Sequence, residues 1–477
     1  MNRIPGISLL LGLAVAAPLS AQGFNVDFIP TAPEVVLDTD LTMYRLPSGQ
    51  VIPIVGGTFV FRSVLIPRGT RVRGVGSNPL VFVVQQDVRI DGDLSVDGEN
   101  GANVDTLNSA NFPAPGGRGG PAGGSGGDGS PSTTARSATG KPGYGAFQIA
   151  GIGGGGGALG CGTTCNRGAG GGGGAFATQG DLDYLLGTRS WLQVRGEGGA
   201  GCRDLSLQGG LAGPLPFLDG REENDFFGVG VDLSTFRFVP GELPMLMGGE
   251  GGGGGGDMAP NCLPNDPNWI SDAKGAGGGG GGGALLIASM RRVIVGPFGH
   301  VTANGGHGGG GEQGHSNNLG GGGGGGSGGM IVLLGIGGIE LNVKGDTWRN
   351  GDADFVLSAD GGIGRQGVFS GLSFERKYPR VSMVNNALPA GGFGGLGIIE
   401  LVAPAGTNTD GTNTILDDGV DVVLNGVALR GTEKVRYLAW RGFQSPSGSF
   451  VDDMGAPTGW ARGEGDMRPA PILLPLF

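Results

Sequence analysis

The sequence predicts an all-β protein: a parallel β-helix-like solenoid with polyglycine-rich turns and a small C-terminal β cap. Three observations carry this expectation. Glycine supplies 111 of 477 residues, about three times its usual share. Each glycine in a helix interior costs about 1 kcal/mol relative to alanine, so helix bundles and coiled coils are excluded. Residues 87–97 alternate strictly, with Val88, Ile90, Gly92, Leu94 and Val96 on one face and Asp87, Arg89, Asp91, Asp93, Ser95 and Asp97 on the other. That is the pattern of a half-buried strand. Finally, one phrase recurs: a glycine tract, a short apolar strand, a turn, a second strand, then Asn/Asp-Gly-Gly. Self-similarity of this kind marks a solenoid or array, whose units bury their apolar faces only by stacking. Collagen is excluded because glycine does not recur at every third place.

Residues 1–21 read as a secretory signal. Arg3 supplies the positive start, 7–17 form a short apolar run, and cleavage is expected after Ala21. The run is too short to span a bilayer. Residues 22–54 form an N-terminal lead-in that caps the first strands of the solenoid. The glycine-rich solenoid is assigned to 55–405. It opens with strand-like runs at 59–61, 63–67 and 80–84, and copies of the phrase return at 284–306, 330–362 and 397–402, with a fainter one at 174–196. Two stretches break the rhythm, about 99–150 and 203–275. The first is expected to be a surface excursion, and the second carries its own apolar residues. Residues 406–477 lose the glycine tracts and read as a C-terminal cap, with strands at 420–424 and 435–440.

The tracts at 153–157, 170–174, 251–256, 277–283, 308–311 and 320–326 admit two readings. They are flexible loops, as glycine-rich linkers are, or they approach one another closely as extended or polyproline-II-like segments. The second needs dense backbone hydrogen bonding to offset the entropy of ordering glycine. Their regular phase favours partial order, with the longer turns loose.

Net charge is −11, and an acidic surface repels phosphate backbones and anionic membranes, so nucleic acid is excluded as a partner. No segment is long and apolar enough to cross a membrane. Cys161, Cys165, Cys202 and Cys262 are an even set in a chain with an export signal, which predicts two disulfides. All three connectivities stay open. Zinc is the competing reading, but only Cys161 and Cys165 have close spacing.

The runs Ser63-Val64-Leu65-Ile66-Pro67-Arg68-Gly69-Thr70, Asn78-Pro79-Leu80-Val81 and Val88-Arg89-Ile90-Asp91-Gly92-Asp93-Leu94 resemble those of glycine-rich secreted proteins of environmental bacteria. So do the runs at 327–333 and 394–401. The resemblance spans about 55–405 and implies a parallel β-helix without an established activity. The 203–275 insertion and the faint copies near 150–200 depart from it.

Motifs for chemistry fire freely in such a sequence. Gly-x-Ser-x-Gly occurs around Ser125 and Ser327, but a nucleophile elbow needs a strand, a turn and then a helix. His300, His307 and His315, with Glu312 nearby, are the one histidine cluster and a metal candidate. Loop placement of His307 and His315 favours solvated histidines instead. Asp91 and Asp93, in the row that runs on to Asp97, invite Ca2+, yet Val96 stands where a calcium loop requires glycine. A solvated strand face is the favoured reading. No residue is assigned a catalytic or cofactor role. The expected function is a secreted, non-catalytic structural or cell-surface scaffold of adhesin type, with cell-surface polysaccharide or another extracellular protein as partner. The alternatives are a polysaccharide- or ice-binding module and a carbohydrate-active β-helix enzyme. The latter would draw on residues such as Arg89, Asp91, Asp93 and Glu340, with Trp191, Trp269, Trp348, Trp440 and Trp460 as sugar platforms.

Overall fold

The computed structural model describes residues 24–104, 113–129, 139–157, 160–161, 168–176, 213, 227–232, 237–241, 243–259, 274–312, 320–341, 357–364, 391–395, 397–402, 414–416, 422–424, 427–429 and 437–441. The chain is built on three large sheets with parallel pairing. The first sheet orders Asp27–Phe28, Ser63–Ile66, Val88–Ile90, Arg292–Val295, Gly338–Leu341 and Thr414–Leu416. The second orders Glu34–Asp38, Arg71–Val75, Asp93–Ser95, His300–Thr302 and Leu357–Ser358. The third orders Thr58–Phe61, Leu80–Val84, Ala284–Ser289, Met330–Gly335 and Ile398–Val402, and ends on the antiparallel strand Tyr437–Arg441. Successive strands visit the third, first and second sheets in turn.

Alternation in the sequence explains each strand. Leu80–Val84 buries Leu80, Phe82 and Val84 and leaves Val81 and Val83 half-buried. In-register pairing then stacks like on like. Val72, Leu94, Val301 and Leu357 align across the second sheet, and Phe82, Ile287 and Leu333 across the third. The three inner faces share one core. At its N-terminal end Phe28, Phe59, Phe61 and Phe82 pack with ring centroids 5.0 to 6.2 Å apart. Full burial of each such ring contributes about 1.5–3 kcal/mol. Gly92 falls between a strand of the first sheet and one of the second, where an added Cβ would collide with the carbonyls of Pro67 and Thr70.

The expected single β-helix-like solenoid is not what forms. The described strands fall into separate sheets, three large and five of two strands. The polyglycine tracts are not turns. They build a body of their own, whose central tracts contain no strand, between the exits of the second sheet and the entries of the third. The small C-terminal cap is likewise corrected: Thr414–Leu416 extends the first sheet and Tyr437–Arg441 the third, with Val422–Leu424 and Val427–Leu429 paired as a hairpin. The physical reason is the missing Cβ. A corner in a solenoid needs one or two glycines, whereas a run of them lets whole backbones touch.

Three threads form the interior of this body: 248–257, 274–283 and 320–329. Around them lie threads at 96–104, 113–121, 122–129, 139–145, 153–157, 168–176, 303–312, 359–364 and 391–395. In the thread 274–283, Ala276, Gly279 and Gly282 donate to Gly321, Gly324 and Ser327. Gly277, Gly280 and Gly283 donate to Ala102, Glu99 and Val96, and Gly278 and Gly281 to Gly127 and Gly124. Partners therefore rotate with a period of three, the threefold screw of polyproline II, which has no hydrogen bonds of its own. Three further threads donate to its carbonyls, so it touches six neighbours, and from Ala276 to Gly283 every N–H and every C=O is paired. An alanine at Gly279 would drive its Cβ into the carbonyl of Gly306.

Energetics explain why the body needs this completeness. Ordering a backbone residue costs about 1–2 kcal/mol. One hydrogen bond per residue returns about 0.5–1.5 kcal/mol net. The threads are close to balanced by themselves and depend on the sheets for their anchorage. The expected surface excursion at 99–150 is corrected accordingly: 98–104, 113–129 and 139–145 hydrogen-bond into the body, and so does 248–257 within the second insertion. Among the described residues, no helix is long and apolar enough to cross a membrane.

Candidate functional site

Polar side chains mark two places on the glycine body. The first is the edge formed by the threads 96–104, 303–312 and 359–364. Asp97 Oδ1 accepts the N–H of Asn304 at 2.6 Å, Asn100 Oδ1 that of His307 at 2.7 Å, and Asn103 Oδ1 that of Gly310 at 2.7 Å. Spacing by three keeps these acceptors in one row of a threefold thread. The next tier repeats the device. Asn304 Oδ1 accepts the N–H of Asp360 at 2.8 Å and His307 Nδ1 that of Ile363 at 2.9 Å.

Hydroxyls from the second sheet fix these acceptors. Ser95 and Thr302 donate to Asp97 Oδ2 at 2.7 and 2.9 Å. Ser358 Oγ lies 2.6 Å from Asn304 Oδ1 and 2.9 Å from Asp360 Oδ2. The corner thus reads Ser95-Val96-Asp97-Gly98, Thr302-Ala303-Asn304-Gly305 and Ser358-Ala359-Asp360-Gly361 at its three levels. Burial holds the Asp360 carboxyl well above the usual range; the Ser358 hydrogen bond opposes this and the Asp97 charge adds to it. Burial also raises Asp97, against hydrogen bonds from Ser95, Asn304 and Thr302 and the nearby Arg71 charge.

The second place is the interior. Glu250 is buried within a central thread, and its Oε2 accepts the N–H of Ala175 at 3.1 Å. Ser327 Oγ accepts the Glu250 N–H at 2.8 Å and lies 3.1 Å from the Ala175 carbonyl. Burial pushes Glu250 well above an ordinary glutamate, only partly offset by the Ala175 hydrogen bond. At the outer end, Asp257, Lys274 and Glu312 are all buried. Asp257 Oδ1 accepts the N–H of Gly275 at 2.9 Å and Glu312 Oε2 that of Lys274 at 3.0 Å, while Lys274 Nζ stands 3.3 Å from Asp257 Oδ2. Where a thread runs out of backbone neighbours, carboxylates take over as acceptors.

The residues singled out from sequence are dispersed. Asp91 is held by Arg89 at 2.7 Å and Asp93 meets His300 Nδ1 at 3.1 Å. His300 is therefore brought to Asp93, whereas His307 serves the thread edge. His315 lies outside the described residues, as do Cys165, Cys202, Cys262, Trp191, Trp269, Trp348 and Trp460. Cys161 belongs to the strand Gly160–Cys161, paired parallel with Met258–Ala259. Among the described residues, no group of three or more His, Cys, Asp or Glu is placed to hold a metal ion. Ser327 sits in a buried thread and Ser125 in an outer one, neither in a strand–turn–helix elbow. Glu340 pairs with Arg292 on the outer face of the first sheet.

Sequence reading missed the structural roles of Glu250, Asp257 and Asp360, and gave Asp97 and Glu312 other roles. One signal was present: Asp97, Asn100 and Asn103 recur every three residues, as Asn304 and His307 do. No family model, curated protein or solved structure matches the chain.

Proposed function

We propose that the chain is a secreted, non-catalytic surface scaffold of adhesin type, in which the sheets and the glycine body form a stiff stem and the outer end of the body carries the recognition surface. One observation supports this reading above others. Each outgoing thread leaves the sheet side and each returning thread comes back to it. The register of hydrogen bonds aligns their remote ends: Val104 with Gly310, Gly129 with Ala114, Gly140 with Gly157, Gly256 with Ala169 and Glu312 with Lys274. The connections 105–112, 130–138, 158–167, 258–273, 313–319 and 365–390 therefore all start and finish at one end. Connections gathered at one end of a rigid frame are where binding residues concentrate. Polysaccharide or another extracellular protein is the partner this surface suits. The outer rows of the threads expose Asn100, Arg118, Lys141 and Tyr144, whose positive charge and bulk favour a sugar or protein over ice.

The test is retention on bacterial envelopes and on immobilised polysaccharides. Wild-type protein is compared with a chain in which 105–112 and 130–138 are replaced by Gly/Ser linkers of equal length. Loss of retention with an unchanged melting temperature supports the reading. Equal retention of both chains, or release of sugar fragments by the wild type, overturns it.

A further inference from the structure

The junction of Asp257, Lys274 and Glu312 holds more than end caps. Asp257 closes one interior thread and Lys274 opens the next, seventeen residues later. Their side chains meet at 3.3 Å with 8% and 1% of the Lys274 and Asp257 side-chain surface exposed. Taking an ammonium and a carboxylate out of water is costly, and their mutual attraction only partly restores it. Proton transfer from Nζ to the carboxylate removes both charges and leaves an amine facing a carboxylic acid. The 3.3 Å lies between Nζ and the carboxyl oxygen Oδ2, within reach of that proton transfer, and sets the nitrogen beside the carboxyl group whose carbon it would attack; the burial of both side chains keeps bulk water away.

We propose that Lys274 and Asp257 condense to an intramolecular isopeptide bond that staples the base of the 258–273 connection. Lys274 Nζ attacks Asp257 Cγ, the N–C bond forms, and the bond from Cγ to one carboxyl oxygen breaks. Of the three protons of the ammonium, one stays on the amide nitrogen and two leave on the departing oxygen as water. No atom changes oxidation state and no co-reactant is consumed. Glu312 is a positioning residue. Its Oε2 holds the backbone N–H of Lys274 at 3.0 Å and so fixes where the Lys274 side chain starts.

Peptide mapping of the secreted, fully reduced chain by mass spectrometry tests the bond directly. The expected result is one cross-linked species joining the peptide with Asp257 to the peptide with Lys274, lighter by one water than their sum. Lys274→Arg keeps the charge but cannot form the amide, and both peptides then return at full mass. Glu312→Ala, which removes the acceptor for the Lys274 N–H, lowers the cross-linked fraction at least tenfold at equal secretion, and Glu312→Gln, which keeps an acceptor there, restores most of it. Separate, full-mass peptides throughout the wild-type protein overturn the proposal, and so does a cross-link that survives Lys274→Arg. The wild-type measurement stands even if a variant fails to fold.

Discussion

Asn304 accepts the backbone N–H of Asp360 through its side-chain Oδ1 at 2.8 Å, while its own N–H is bound by the side chain of Asp97 at 2.6 Å. One residue thus links three successive levels of the fold at the point where strand gives way to thread. Asn304→Ala removes the acceptor and leaves the Asp360 N–H short of a partner, while the Ser358 hydroxyl keeps Asp360 Oδ2. A buried donor left unmade costs about 1–3 kcal/mol. Chemical denaturation should show a loss of that size; an unchanged midpoint would mean that the side-chain ladder is decorative.

Glycine is needed for close approach at the centre of the body. Gly279→Ala and Gly324→Ala each force a methyl onto a neighbouring carbonyl, of Gly306 and Gly172 respectively. Overpacking of this kind costs about 1–3 kcal/mol, or more where backbone cannot yield. Ser125→Ala in an outer thread is the control and should stay within about 0.5 kcal/mol of wild type. Equal melting temperatures for all three variants would contradict the packing.

Hydrogen exchange offers a test that needs no mutation. The amides of 276–283 belong to no strand or helix, yet each has a backbone acceptor. They should exchange as slowly as those of Met330–Gly335, because exchange follows opening of the hydrogen-bonded unit rather than its label. Fast exchange across 276–283 with protection confined to the sheets would show the threads to be loose.

The buried carboxyls set an unusual pH response. Asp360 and Glu250 are both held well above their ordinary values by burial. A carboxyl raised on folding binds its proton more tightly in the folded chain. Its contribution is complete below the unfolded value, about 4, and is lost as pH rises through the folded value. Acidification from neutral toward that lower limit should therefore raise the melting temperature. Asp360→Asn with Glu250→Gln should flatten the slope and stabilise the chain at neutral pH. Steady loss of stability on mild acidification, unaltered in the double variant, would go against this assignment.

How far these features can be read from the sequence depends on whether side chains carry the pattern. The alternation from Val88 to Val96 announces strands, and the structure places Val88–Ile90 and Asp93–Ser95 there, split at Gly92 as the interrupted inner face suggests. The runs at 284–288, 293–296, 330–334 and 398–402 are legible for the same reason. The glycine tracts are not. A residue without a side chain shows no period, so the threefold repeat of 276–283 is silent in the letters and surfaces where Asp97, Asn100 and Asn103 mark one row, and Asn304 and His307 the next. Reading the tracts as solenoid turns came from that silence. Likewise, Glu250, Asp257 and Lys274 look like ordinary surface charges until the threads close around them.

The hydrogen bonding of the central threads has a mechanical consequence. A β-sheet is joined laterally in a single plane, so a pull across that plane can peel one strand at a time. A thread tied to six others has no weak direction of that kind. Force applied to any one connection at the outer end spreads sideways through the bundle before it reaches the sheets, as load spreads through the strands of a rope.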